Sequence, residues 1–321
     1  MIEFNPNDLP IPQVHQYLLG GVGPRPIALV STVSPDGLVN LSPFSFFNAF
    51  GANPPTVAFS ASRRVRDDTV KDTYNNIVAT GECVIQAVTY DMVQQVSLAS
   101  TEYPTGTDEF VKSGLTPIPS DIVKPPRVKE SPFQMECRLQ QMVALGGKAG
   151  SGNLAICEVV RFHIAEDIIK DGIIQPDRID LVARMSGDYY CRANGDNVFV
   201  VRKPVKTKGI GYDQLPEFIR KSEHLSANNL AQLANVEQIP SPEEAKALLA
   251  QLPSESVDPG AFERFERPGD YRRMMAVVRS TGKPGTKPDF NQLCRVARKA
   301  LEVDDVAFAW SALLSSQIQL P

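Results

Sequence analysis

The feature that most limits what this chain can fold into is a change of hydrophobic period near Val201. Before it, apolar residues tend to recur at every second position. Phe133, Met135, Cys137 and Leu139 alternate with Gln134, Glu136, Arg138 and Gln140, as in a strand with one buried face. After it, apolar residues fall at helical spacing. The switch predicts a mainly β domain over residues 1–200, with short helices, followed by an α-helical C-terminal extension over 201–321.

Other strands are marked by composition and turn chemistry. Ile27 to Val33 is rich in strand formers, and Ser34-Pro35-Asp36-Gly37 follows as a turn. Leu38–Leu41, Thr56–Ser60 and Glu82–Val88 read as further strands. The glycine-rich run Gly146 to Gly152 joins Phe133–Leu139 to Leu154–Val160 as a hairpin loop. It lacks the spacing of a phosphate loop. Asp68 to Thr80, closed by Gly81, and Asp91 to Ser100 read as short helices. Pro117, Pro119, Pro125, Pro126 and Pro132 make 113–133 an extended excursion. Beyond the basic connector Arg202–Lys208, Ser241-Pro242-Glu243-Glu244 is a helix start, and Asp289–Leu301 and Val306–Leu314 are two more helices.

Composition removes several classes of function. The net charge of −4 gives no general attraction to nucleic acid or to an anionic membrane. No apolar run is long enough to span a bilayer, and the N-terminus lacks signal-peptide character, so a cytoplasmic location is expected. The five cysteines are scattered without a CxxC pair, which points to buried thiols rather than disulfides or a metal centre. Neither a GxSxG nucleophile nor an HExxH zinc motif occurs. Chemistry by a borrowed cofactor is therefore the better expectation.

The segment from Pro24 to Asn76 is the most informative. It holds Pro24-Arg25-Pro26-Ile27-Ala28-Leu29-Val30-Ser31-Thr32, Asn40-Leu41-Ser42-Pro43-Phe44-Ser45-Phe46-Phe47, Asn53-Pro54-Pro55, Phe59-Ser60-Ala61-Ser62-Arg63 and Lys71-Asp72-Thr73. In this order the segment closely resembles the flavin reductase-like family. The resemblance continues through Asp108-Glu109-Phe110, Ser113–Pro117, Pro125-Pro126-Arg127 and Arg184–Tyr190. It implies an FMN-binding split β-barrel and an NAD(P)H-dependent oxidoreductase that passes hydride to bound or free flavin. The alternative within the family is a flavoredoxin-like electron carrier without nicotinamide turnover.

The same resemblance implies a cofactor site made by Ser31, Asn40, Leu41, Ser42, Pro43, Ser45, Ser60, Ser62, Arg63, Lys71, Asp72 and Thr73. The residue types suit that ligand. Backbone groups on an open strand edge can meet ring atoms, with Pro43 interrupting the ladder. Ser60, Ser62, Lys71 and Thr73 supply donors and positive charge for a phosphate, the last two at a helix start. Arg63 adds a bidentate donor, and Asp72 caps the helix or orients Lys71. His163 is the one candidate near a nicotinamide. The expected partners are flavin, NADH or NADPH, a second copy of the chain, and a monooxygenase or redox protein. No metal, nucleic acid or membrane is expected.

Overall fold

The computed structural model describes residues 1–204, 208–252, 260–281 and 287–317. Residues 205–207 of the basic connector lie outside them. The chain divides into two compact units, Met1–Val200 and Val201–Pro321.

Seven strands dominate the first unit: β1 (Ala28–Val33), β2 (Val39–Phe44), β3 (Phe47–Ala52), β4 (Pro55–Ser60), β5 (Glu82–Ala87), β6 (Phe133–Leu145) and β7 (Gly152–Ile164). They form one antiparallel sheet in the order β2-β1-β5-β6-β7-β4-β3. The two edge strands, β2 and β3, are consecutive in sequence. Only Ser45 and Phe46 separate them, a reach of about 10 Å at most. A flat sheet would hold its edges far further apart. The sheet must therefore curl until its edges almost meet, and this is the split barrel. The Phe44 ring of β2 meets the Phe59 ring of β4 across the gap, 5.1 Å between ring centres.

Both faces of the curled sheet are covered. Ala28, Val30, Phe44, Val57, Phe59, Ile85, Met135 and Val159 fill the inside, together with Cys83, Cys137 and Cys157. Leu29, Leu41 and Val88 pack outside against α3 (Val93–Ala99) and α4 (Glu109–Ser113) through Val96, Ala99 and Phe110. Burial on two faces explains why β1 reads as a nearly continuous apolar run. A helix at the chain start, α1 (Ile11–Gly21), buries none of its residues. The helix α2 (Asp72–Thr80) adds Ile77 to the inner core.

Some expectations shift. The helix expected from Asp68 begins at Asp72, because Asp68 takes φ +54° in a loop where Asp67 Oδ1 accepts from Thr69 N. Gly81 ends it with φ +73°, a left-handed position that suits a residue without Cβ. Pro43 does not break its strand. Leu41 N–H donates out of the ladder to Glu109, and by the two-residue period Pro43 faces the same open edge. Its missing N–H therefore costs the sheet nothing.

The second unit is helical: α5 (Ala227–Ala234), α6 (Pro242–Ala250), α7 (Ala261–Glu266), α8 (Tyr271–Thr281), α9 (Phe290–Glu302) and α10 (Val306–Leu314). Ser226 and Ser241 form capping boxes with Asn229 and Glu244. A separate core surrounds Trp310, whose indole N–H donates to Leu233 O at 3.0 Å. No helix among the described residues is long and apolar enough to cross a membrane.

Candidate functional site

The start of α2 packs against the inward face of β2, where Thr73 Oγ1 meets Asn40 Oδ1 at 2.7 Å. Asn40, Ser42 and Phe44 share one face of β2, and Lys71 Nζ stands 5.0 Å from the centre of the Phe44 ring. Lys71 precedes α2 and makes no side-chain cap. No carboxylate lies within 4.0 Å of it among the described residues. Burial pulls its pKa below the ordinary lysine value, Arg64 adds repulsion, and Glu102 partly offsets both. The result is a half-buried ammonium without an ion pair beside the free backbone N–H groups of a helix N-terminus.

A polar network fixes this arrangement from behind. Buried Glu109 accepts from Leu41 N at 3.0 Å and from Asn40 Nδ2 at 3.2 Å. Asn40 Oδ1 in turn accepts from Thr73 Oγ1 at 2.7 Å, and Asn76 Nδ2 donates to Thr32 Oγ1 at 3.0 Å. Burial raises the Glu109 pKa, although the bonds from Leu41 and Asn40 oppose this. The network ties β1 and β2 to α2 and α4. It also spends the Asn40 amide and the Thr73 hydroxyl proton internally. At the open edge of β2, Leu41 N–H is taken and Pro43 has none, so positions 41 and 43 present carbonyls only.

The remaining candidate residues line different grooves. Pro43 and Ser45 border a groove of about 270 Å³ with Arg25, Phe44, Phe46 and Tyr190. Ser60, Ser62 and Arg63 border one of about 1060 Å³, which α1 and the β6–β7 hairpin also line. Ser60 Oγ is buried there without a partner. A Cβ on Gly152 would come within 2.8 Å of that oxygen. Asp72 borders a polar cleft with Arg63, Arg64, Arg66 and Glu102. Arg63 lines both of these spaces, but its Nε already donates to Asp68 Oδ1 at 2.6 Å. Ser31 is fully buried, donating to Pro126 O, and borders none of the grooves described.

His163 also stands apart from these grooves. Its Nε2 lies 2.7 Å from Glu136 Oε1. Burial would raise the Glu136 pKa, but Asp121 N–H, His163 and the N–H groups of Ile122 and Val123 outweigh it and hold the value at about 2. Asp121, Glu136 and His163 bring three ligand atoms within 4.8 Å of one another. Glu136, however, already accepts three backbone N–H bonds, so the group reads as an anchor for the 113–133 excursion.

Two residues of this region escaped sequence reasoning. Glu109 looks like an ordinary first-turn acid, and only its partners reveal that it sets the edge of β2. Arg25 sits in the Pro-Arg-Pro run, whose signal is visible but whose purpose is not.

Known proteins agree with this architecture. Residues 21–178 match the flavin reductase like domain. An uncharacterised protein of Halalkalibacterium halodurans is 36% identical over 191 residues, 59% of this chain and 91% of that one. The crystal structure of nitrilotriacetate monooxygenase component B from Bacillus cereus superposes with a TM-score of 0.59 at 32% identity, covering 62% of this chain and 98% of that chain. A Shewanella frigidimarina chain assigned as a flavin reductase with a split barrel domain gives 0.54 at 26% identity, covering 63% and 100%. All these matches cover about the extent of the first unit, and through that unit the chain belongs to the flavin reductase-like family.

Proposed function

We propose that the first unit binds FMN and acts as an NAD(P)H-dependent flavin oxidoreductase, passing hydride to bound or free flavin. The observation that carries this reading is Lys71, an ammonium held over the Phe44 ring beside the start of α2, with no ion pair among the described residues. Keeping such a charge desolvated is unfavourable, and a phosphate meeting it would reverse the sign of that contribution. The residues present fit the cofactor. Lys71 and the backbone N–H groups of Asp72 and Thr73 would hold the phosphate. The orphaned Ser60 hydroxyl and Ser62 are donors for the ribityl chain or phosphate, in a cradle that a side chain at position 152 would fill.

When bound, the flavin supplies the redox chemistry, taking up two electrons and handing them on. The chain supplies position. Carbonyls at Leu41 and Pro43 would accept from a ring N–H, and the walls of Phe44, Phe46 and Ile27 exclude water. No proton-transferring side chain is needed, and we assign His163 to holding Glu136 rather than to the nicotinamide. Apolar side chains at Ile11, Tyr17, Leu18, Val22 and Phe50 are exposed, which supports pairing with a second copy. The name of the Bacillus cereus relative supports delivery of reduced flavin to a monooxygenase.

The test is anaerobic mixing of FMN-loaded protein with NADH and with NADPH. Rapid bleaching of the flavin band with either donor is the expected outcome. Stable FMN binding with no bleaching would replace the reductase by an electron carrier. Failure to bind flavin would end both readings.

A further inference from the structure

Arg25 is only 4% exposed, and every partner it has is neutral. Its Nη1 donates to Leu19 O at 2.6 Å and Val22 O at 2.7 Å, its Nη2 to Met185 O at 2.9 Å, and its Nε to Ser45 Oγ at 3.4 Å. No carboxylate lies within 4.0 Å among the described residues. Burial lowers its pKa, and the charged group that acts on it is another guanidinium, Arg184. Among the described residues the acidic partner of Arg184 is Asp188 alone, at 4.0 Å and fully in solvent.

The C-terminal carbonyls of α1 account for part of this arrangement, because a cation suits that end of a helix. They offer only roughly half a unit of negative charge. The rest is unbalanced, and it borders the groove formed by Pro43, Phe44, Ser45 and Phe46. Apolar walls lengthen the reach of a charge by keeping water away from it.

We propose that Arg25, assisted by Arg184, is the fixed positive charge that stabilises the negative charge a flavin gains on reduction, and so raises its potential. The proposal rests on the flavin reading above. A flavin that takes two electrons and one proton, the proton at N5, keeps one negative charge spread over N1 and the C2 carbonyl. A second proton, at N1, would neutralise it. Arg25 acts by electrostatics and transfers no proton, since a guanidinium stays protonated.

The experiment is a spectroelectrochemical titration of the FMN-loaded full-length protein between pH 5 and 6, where free reduced flavin is neutral. The expected midpoint potential falls by about 30 mV per pH unit, since one proton then enters per two electrons. A slope of about 59 mV would mean that the second proton is taken up, and it would overturn the proposal. Arg25→Gln should lose about tenfold in preference for reduced over oxidised FMN, about 30 mV for a two-electron couple. Arg25→Lys, which keeps the charge, should stay within about threefold of wild type, well under the ~30 mV of a tenfold change. Arg25→Gln that binds FMN at an unchanged potential would refute the assignment. If that variant does not fold, the wild-type slope and Arg25→Lys decide the matter. Wild type that binds no FMN would instead sink the flavin reading, so the two failures are distinct.

Discussion

Replacing Lys71 by Met separates its cost to the fold from its value to a ligand. Met keeps much of the length and the apolar stem, so contact with Phe44 survives while the charge goes. In the free protein that charge is held without an ion pair, and burial depresses its pKa. The sign follows from linkage. A lysine with a folded pKa below its unfolded one weakens the fold at neutral pH, and this burden lifts as pH rises between the two values. Lys71→Met should therefore be as stable as wild type or more so at pH 7, and the difference should shrink towards alkaline pH. Urea unfolding at both ends of that range measures it.

Ligand binding should move the other way. A charge-assisted bond to a buried group contributes about 1.5–3 kcal/mol, so FMN affinity should fall roughly 10- to 150-fold. Riboflavin, which lacks the phosphate, should bind both proteins within about twofold, since ~0.5 kcal/mol is the reach of an unrelated surface change. Fluorescence titration with the two flavins reads both numbers. Unchanged FMN binding, or equal weakening of both flavins, would refute a phosphate at Lys71.

Three further outcomes are expected. Glu136, held at about 2 against an ordinary 4.5, should contribute on the order of 3 kcal/mol above pH 4.5 and lose it as pH falls towards 2. Acid unfolding should therefore be flatter in Glu136→Gln, which starts less stable. Trp310→Ala should destabilise the helical unit by about 3–5 kcal/mol through a large cavity and the orphaned Leu233 carbonyl. Calorimetry should show one transition shifted, with FMN affinity unchanged. Residues 1–200 expressed alone should unfold cooperatively and bind FMN within about threefold of the full chain (~0.7 kcal/mol), because the described residues of both barrel cores come from the first unit. A fragment that binds no flavin would show that the helical unit is part of the site.

The fold was legible where one face of an element is buried. β6 announced itself by alternation, α9 by its helical run from Asp289, and α6 by the Ser241 cap with a first-turn proline and early acids. What escaped was decided by other parts of the molecule. α1 buries none of its residues, and its short stripe of Ile11, Val14 and Leu18 went unread. β3 is an exposed edge, with Asn48 to Ala52 in solvent, and lacks the alternation of a half-buried strand. Its existence follows from pairing with β4, which no local pattern reveals. The start of α2 was misplaced because Asp68 resembles a helix cap, while its positive φ belongs to the preceding loop.

The candidate residues were chosen by type, and the structure shows a division of labour among them that type alone does not reveal. Asn40, Thr73 and Ser31 have the donors and acceptors that a ligand would want, yet each spends them on neighbouring parts of the chain. Lys71 and Ser60 do not, and an unspent polar atom in a buried place is costly enough to call for a partner. The same logic explains Pro43. An N–H at that position would face the open edge of β2 and compete for the acceptor groups of whatever lies there. With Leu41 N–H drawn off by Glu109, the edge offers carbonyls at 41 and 43 and no donor between them. A ring that presents an N–H suits this edge better than one that presents only carbonyls. Restoring the donor by Pro43→Ala should therefore weaken flavin binding without disturbing the ladder, since position 43 makes no bond to β1. The readout is affinity for riboflavin, which isolates the ring from the phosphate. A loss of about 1 kcal/mol, roughly fivefold, is the expected size of one mismatched hydrogen bond. Unchanged riboflavin affinity would mean that the ring does not meet the edge at this position.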